Sequence, residues 1–194
     1  ILEGDASSVK QFYSLVDKKH SRKLNYYLDM MEILGKKDMI KLYFAKLDTA
    51  KYIEKSKTLF EAEEKRNNEI NQELEENINS NNTTNIIKRK MASDILLNNC
   101  KQNVINATNL YKEYPSGVIV GASAVIKYNK EIFFLIDGYK QEFKRYCPNH
   151  YLKYQIMNFY RKEGYTRMHL NGISGDFNKS SAFYGLTRFK LGFA

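Results

Sequence analysis

The sequence predicts an α+β fold into which a pair of long helices is inserted. Three observations carry this reading. The first 47 residues pass from helical spacing of apolar residues to a short strand-like run. Residues 48–112 then contain neither Gly nor Pro and shift to Glu, Lys and Asn. Beyond Pro115-Ser-Gly117 the chain turns to β-branched and aromatic runs before helical spacing returns.

Taken in order, residues 5–34 read as helical. Asp5 or Ser7 can cap the start, and Val9, Phe12, Tyr13 and Val16 fall on one face. A second helical pattern follows at Tyr26, Tyr27, Met30, Met31 and Leu34, ended by Gly35. Ile40-Lys-Leu-Tyr-Phe-Ala-Lys-Leu47 reads as a strand.

Within 48–112, Leu97, Cys100, Val104, Ala107 and Tyr111 follow the 3-4-3-4 spacing of a coiled-coil seam. In the first half Ile53, Phe60, Ile70 and Leu74 fit a seam, but Glu63 and Asn67 interrupt it. The run Asn77-Ile-Asn-Ser-Asn-Asn-Thr-Thr-Asn85 between the halves is turn-like. Residues 51–80 hold eight Glu against five Lys or Arg, and residues 81–112 hold five Lys or Arg against one Asp. Two antiparallel helices of opposite charge attract, so an inserted helical hairpin over 48–112 is expected. Each helix would reach about 40 Å. The alternative is a long solvated helix with an unstructured middle.

After this stretch, Gly117-Val-Ile-Val-Gly-Ala-Ser-Ala-Val-Ile126 reads as a buried strand. Tyr128-Asn-Lys130 is a turn, and Glu131-Ile-Phe-Phe-Leu-Ile136 is the returning strand. Asn149 to Lys162 predicts a helix with Leu152, Ile156, Met157, Phe159 and Tyr160 inward, stopped by Gly164. Tyr165-Thr-Arg-Met-His-Leu170 predicts the next strand. This order is that of a GNAT-like (acyl-CoA N-acyltransferase-like) lobe, built from 1–47 and 113–194, with 48–112 as its inserted arm.

Composition bounds the partners. The net charge is +9, with 15 Tyr, 11 Phe and no Trp. A polyanionic partner fits that charge, and so does plain solubility. Residues 48–112 carry ten Lys or Arg and ten Asp or Glu, so the excess lies outside them. Cys100 and Cys147 are far apart with no metal spacing, as in a reduced, cytoplasmic protein. No metal or cofactor is expected. No run of 18 apolar residues spans a membrane. The chain opens at Ile1 and closes at Phe193-Ala194, as a fragment or a trimmed chain would.

Two motifs in the last residues resemble the closing segment of the FemABX aminoacyltransferases. They are His169-Leu-Asn-Gly-Ile-Ser-Gly-Asp-Phe177 and Gly185-x-x-x-Phe189-Lys190-x-Gly192-Phe193. Asp5-Ala-Ser-Ser-Val-Lys-Gln-Phe-Tyr13, Tyr43-Phe-Ala-Lys-Leu-Asp48 and the corner Asp137-Gly138-Tyr139 are similar to further parts of that family's second lobe. The resemblance implies transfer of an amino acid such as glycine from aminoacyl-tRNA to the stem peptide of a peptidoglycan precursor, lipid II. The implied partners are aminoacyl-tRNA, lipid II, the family's first GNAT-like lobe, which this chain lacks, and related Fem-type proteins. The implied location is the cytoplasm, at the inner membrane face where a lipid-linked substrate sits. Alone, these residues are expected to be inactive.

An aminoacyl ester is already reactive, so the enzyme needs to position the groups and stabilise negative charge. By resemblance, Lys190 supplies that charge stabilisation and Phe189 contributes to substrate binding. On a strand, Phe189 and Phe193 share a face and Lys190 points the other way. Its bland alternative is a surface lysine on an edge strand. Asp176 can accept the amine's proton or simply cap a turn. Gly172 and Gly175 permit close backbone approach to a substrate. Lys88, Arg89 and Lys90 can touch tRNA phosphates or face the acidic first helix. His20, His150 and His169 form no pattern, and no Ser-His-Asp or Cys-His set points to a covalent intermediate. Two other readings stand beside this one. A CoA-dependent acetyltransferase lacks its Q/R-x-x-G-x-G/A loop here, and a non-catalytic interaction module would use only the helical arm.

Overall fold

A computed structural model describes residues 1–17, 21–77 and 83–193. His20 and residues 78–82 of the Asn-rich turn lie outside the described residues. The chain divides into two compact units, residues 1–46 with 119–194 and residues 47–118.

The first unit is a mixed α+β fold around a five-stranded sheet. Its strands are β1 (Leu2–Gly4), β2 (Ile40–Leu47), β3 (Val118–Tyr128), β4 (Glu131–Tyr139) and β5 (Arg167–His169), and they lie in that order. β1 pairs antiparallel with β2, β3 antiparallel with β4, and β4 parallel with β5. Asn129 and Lys130, with φ of 47° and 61°, make the two-residue turn between β3 and β4, the left-handed pair that matches strand twist. The β3–β4 register slips at Ala124/Val125: Ala124 pairs Ile136 and Val125 pairs Phe134, leaving Leu135 as an extra residue. This β-bulge puts Phe134 and Asp137, three apart, within reach of the same side chain.

Helices α1 (Val9–Val16) and α2 (Leu24–Met30) form one core with the sheet. Val9, Phe12, Val16, Tyr27 and Met30 pack with Ile40, Leu42, Phe44, Ala122, Ala124 and Ile136, all buried. Each large side chain buried there contributes about 1.5–3 kcal/mol. Asp5 caps the entry turn, accepting the Ser7 and Ser8 N–H groups at 2.9 and 3.2 Å. Gly138 is required by contact: a Cβ there would sit 2.1 Å from the Leu15 carbonyl oxygen of α1. Helix α5 (Pro148–Lys162) packs with Leu152, Ile156 and Tyr160 buried. The Tyr160 hydroxyl lies 2.8 Å from that of Tyr43 on β2, and burial pushes the Tyr43 phenol up to about 12.

The second unit pairs α3 (Thr49–Glu76) with α4 (Thr83–Glu113). Asp48 starts α3 by accepting the Lys51 N–H at 3.0 Å. Contacts run in opposite chain directions: Thr49 with Tyr114, Asn67 with Ser93, Arg89 with Glu73. Thr49, Ser56, Glu63 and Ile70 recur every seventh residue on α3, as do Ile86, Ser93, Cys100 and Ala107 on α4. All but Cys100, which is half-buried, are buried. Glu63 and Asn67 therefore do not break the seam but form its polar layer. Ser93 Oγ donates to Glu63 Oε1 at 2.6 Å, and Asn67 Nδ2 donates to Ser93 Oγ and Asp94 Oδ1 at 3.1 and 2.8 Å. Lys90 first and Asn67 second hold the Asp94 carboxyl below its usual range.

Several expectations are corrected. Residues 5–34 are not continuous helix: a 3-10 turn at Ala6–Ser8, α1, α2 and a π-helical turn at Met31–Gly35 share the span. β1 and a 3-10 helix at Gln141–Tyr146 are additional elements. Tyr111 is 40% exposed rather than in the seam, since the buried line of α4 runs through Ile86, Ser93 and Ala107. Phe159 is 45% exposed and Met157 half-buried, since the buried face of α5 runs through Leu152, Lys153, Ile156 and Tyr160. The strand over 165–170 shrinks to β5. The Phe189-Lys190 segment is helix α6 (Tyr184–Leu191), not a strand.

Candidate functional site

A cavity of about 580 Å³ opens where β4 continues beyond its pairing with β5. Pairing with β5 ends at Phe133 and His169. Past that point the second half of β4 faces Leu170 and Asn171 across open space, with α5 and α6 closing the sides. Asn171, at φ 63°, donates its amide to the Phe134 carbonyl at 2.9 Å and holds the diverging segment.

The floor is charged and buried. Lys153, 3% exposed, donates to Asp137 Oδ2 at 2.7 Å. Ser123 Oγ of β3 donates to Asp137 Oδ1 at 2.6 Å. The Lys153 ammonium lies 4.1 Å from the Phe134 ring centre, a cation–π contact. Asp137 is the only carboxylate among the lining residues, against Lys144, Lys153 and Lys190. The cavity therefore favours an anionic or strongly electron-rich group.

Lys190 and Phe189 both line this cavity. Lys190 Nζ donates to the Gly172 carbonyl at 2.6 Å, so these two sequence-nominated positions meet although 18 residues apart. Phe189 packs edge-on against His150, ring centres 4.5 Å apart, and against Phe193 at 5.4 Å. A helix places Phe189 and Phe193 on one face at i, i+4 as a strand would. The pair thus keeps its anchoring contact, while Lys190 turns to the cavity wall.

The other nominated residues lie elsewhere. Asp176 is exposed and accepts the Asn178 N–H at 3.0 Å. That bond, with Ser181 second, holds its carboxyl below the usual range. A depressed carboxyl is a weaker base, so its geometry is that of a turn cap. Gly172 and Gly175 stand in open space, where an added Cβ would meet nothing within 4 Å, and only Gly175 has a left-handed φ, 74°. Arg89 pairs with Glu73 across the helices at 3.0 Å, Lys90 pairs with Asp94, and Lys88 is exposed. Two of these three cations are thus engaged within their own unit.

Sequence reading missed Lys153, Asp137, Ser123 and His150 as a set. The signal for Lys153 was present: a lysine on the apolar stripe of α5, between Leu152 and Ile156. A second groove of about 600 Å³ lies between β1 and α2, but its Lys36 and Lys41 are paired with Glu32, and with Glu3 and Asp38. Among the described residues no three of His, Cys, Asp and Glu gather as metal ligands would, and no helix is long and apolar enough to cross a membrane.

The lipid II:glycine glycyltransferase of Staphylococcus aureus is 31% identical over 81 residues, covering 42% of this chain and 19% of that protein. The protein of the same name from strain USA300 matches equally. The crystal structure of FemX superposes with a TM-score of 0.68 at 20% identity, over 97% of this chain and 48% of that one, and so shares its fold. The chain thus spans about half the length of FemX and a smaller share of the curated relatives it matches. The model of the FemAB family matches residues 6–194, nearly every residue from the cap of the first helix to the Phe189-Lys190 helix, and the chain belongs to the FemAB family.

Proposed function

We propose that this chain is the second, GNAT-like lobe of an aminoacyltransferase that adds glycine or a similar amino acid from aminoacyl-tRNA to the stem peptide of lipid II, building the interpeptide bridge of peptidoglycan. The observation that carries this reading is Lys190, which lines the cavity beside β4 and donates to the Gly172 carbonyl. Family membership supports it. The lipid II:glycine glycyltransferases among the relatives supply the substrate class. In this proposal residues 1–47 and 113–194 form the lobe, and 48–112 an inserted antiparallel hairpin. No cofactor is needed beyond the charged tRNA.

The chemistry asks little of the protein. The acceptor amine attacks the carbonyl carbon of the aminoacyl ester. A C–N bond forms, the ester C–O bond breaks, and the ribose hydroxyl leaves with a proton released by the amine. Negative charge gathers on the carbonyl oxygen during attack. An ammonium held at the cavity wall lowers the energy of that charge. Lys190 fills this role, Phe189 fixes its approach, and Gly172 offers uncrowded backbone for the substrate. Asp176 is a weaker candidate for taking the proton, and Lys88, Arg89 and Lys90 are weaker candidates for touching tRNA. Lipid II would bring the protein to the inner membrane face through its substrate.

The test is direct. The full-length protein carrying this chain is mixed with glycyl-tRNA and a lipid II analogue, and the product is followed by mass spectrometry. Addition of glycyl units to the stem peptide is expected. The 194 residues alone are expected to transfer nothing measurable. Acetylation from acetyl-CoA without transfer from charged tRNA would favour the acetyltransferase reading instead.

A further inference from the structure

Lys153 is a buried cation that the proposed reaction does not use. It is 3% exposed, yet it lines the cavity beside the nominated residues. Its ammonium donates to Asp137 and faces Phe134 at 4.1 Å and Phe189 at 5.8 Å. His150, one turn earlier on α5, meets the same Phe189 ring edge-on. One face of α5 therefore grips Phe189 at two points, and Phe193 backs that ring from the next turn of chain. Lys190 follows Phe189 directly.

Burying an ammonium is costly, and removing its partner is more so. A methionine would fill nearly the same space with no such penalty. What a methionine lacks is direction. A cation held between a carboxylate and two ring faces is fixed from several sides, whereas an apolar chain can slide and repack. The carboxylate is fixed in turn: Ser123 holds its other oxygen at 2.6 Å, and the Leu135 bulge brings Phe134 and Asp137 to the same ammonium.

We propose that Lys153 is a positioning residue for Lys190, an inference that rests on reading this cavity as the acyl-transfer site. Lys153 fixes Phe189 against α5. Phe189 fixes the register of α6. That register sets where the Lys190 ammonium stands against Gly172. A shift of about 1 Å in a group of this kind can cost about 10²-fold in rate.

The experiment uses the full-length protein with glycyl-tRNA and a lipid II analogue. Lys153→Met is compared with the double variant Lys153→Met/Asp137→Asn, which leaves no unpaired buried charge. Three readouts are taken: thermal melting, kcat and KM for the donor, and the 13C resonance of the Lys190 ε-carbon. The single variant is expected to melt lower. The double variant is expected to regain most of the melting temperature yet stay about 10- to 10²-fold down in kcat, with KM changed less and the Lys190 resonance moved. Wild-type kcat in the double variant, with an unmoved Lys190 resonance, overturns the proposal and leaves Lys153 a purely structural residue. Should the wild-type protein transfer nothing, the functional reading fails, and the Lys190 resonance in the same variants still decides the positioning claim.

Discussion

At the residue scale, Lys190 carries the sharpest prediction. Lys190→Met in the full-length protein should lower kcat by about 10²–10³, the usual loss on removing one charge-stabilising donor. Its melting temperature should stay near wild type, because this ammonium is exposed and donates to the Gly172 carbonyl of a loop. Near-normal turnover would return Lys190 to the status of a surface lysine. Gly138→Ala should do the opposite, costing stability of about 1–3 kcal/mol or more through collision with the Leu15 carbonyl; a chemical denaturation curve measures it. Asp38 gives the pH prediction. Lys127 first, then Lys41, hold its carboxyl below the ordinary value. A depressed folded value contributes stability above the unfolded pKa of about 3.9, lost as pH falls through the folded value. Asp38→Asn should therefore flatten the acid limb of the melting profile. Its cost at neutral pH should be under about 1 kcal/mol, since the Asp38 side chain is largely exposed. At this scale the sequence disclosed Lys190 and Gly172 through their motifs but not their helix. A spacing of four puts Phe189 and Phe193 on one face of either a strand or a helix, so periodicity could not decide between them. Lys153 escaped notice because burial of a lysine depends on a carboxylate from another element, Asp137 of β4.

At the element scale, the paired helices α3 and α4 were legible from the absence of Gly and Pro and from the charge split, whereas the content of their seam was not. A single helix pattern shows Glu63 and Asn67 only as interruptions. The partner that satisfies them, Ser93, lies on the other helix. This gives a paired prediction. Ser93→Ala should destabilise the pair by about 1–3 kcal/mol, since it strands buried polar groups of Glu63 and Asn67. Replacing Glu63, Asn67 and Ser93 together with Leu should be neutral or stabilising in a melt. The price should appear in alignment: cysteines introduced to cross-link one register of α3 and α4 should yield mixed disulfide pairings in the triple variant and one pairing in wild type. The Leu135 bulge was illegible for a different reason. No Gly or Asn marks it, and an apolar run reads alike with or without one extra residue. β1 was missed because three residues are too few to show alternation.

At the scale of the whole molecule, charge is unevenly divided. Residues 48–112 are balanced while the chain as a whole is +9, so nucleic-acid affinity should reside in the sheet-containing unit. Replacing residues 50–113 with a short Gly-Ser linker should leave the salt dependence of tRNA binding unchanged, because the slope counts phosphates neutralised. A slope reduced by several units, measured by filter binding across salt concentrations, would reassign that role to the helices. Such a replacement is feasible because the two ends of the helical unit meet: Thr49 Oγ1 donates to the Tyr114 carbonyl at 2.6 Å. That contact also makes the unit a ruler of adjustable length. One helix starts and the other finishes at one gate, and their seam repeats every seven residues. Deleting one heptad from each, symmetrically, would shorten the reach by about 10 Å without asking the chain at the gate to move. Deleting seven residues from one helix alone would set the two graduations out of step.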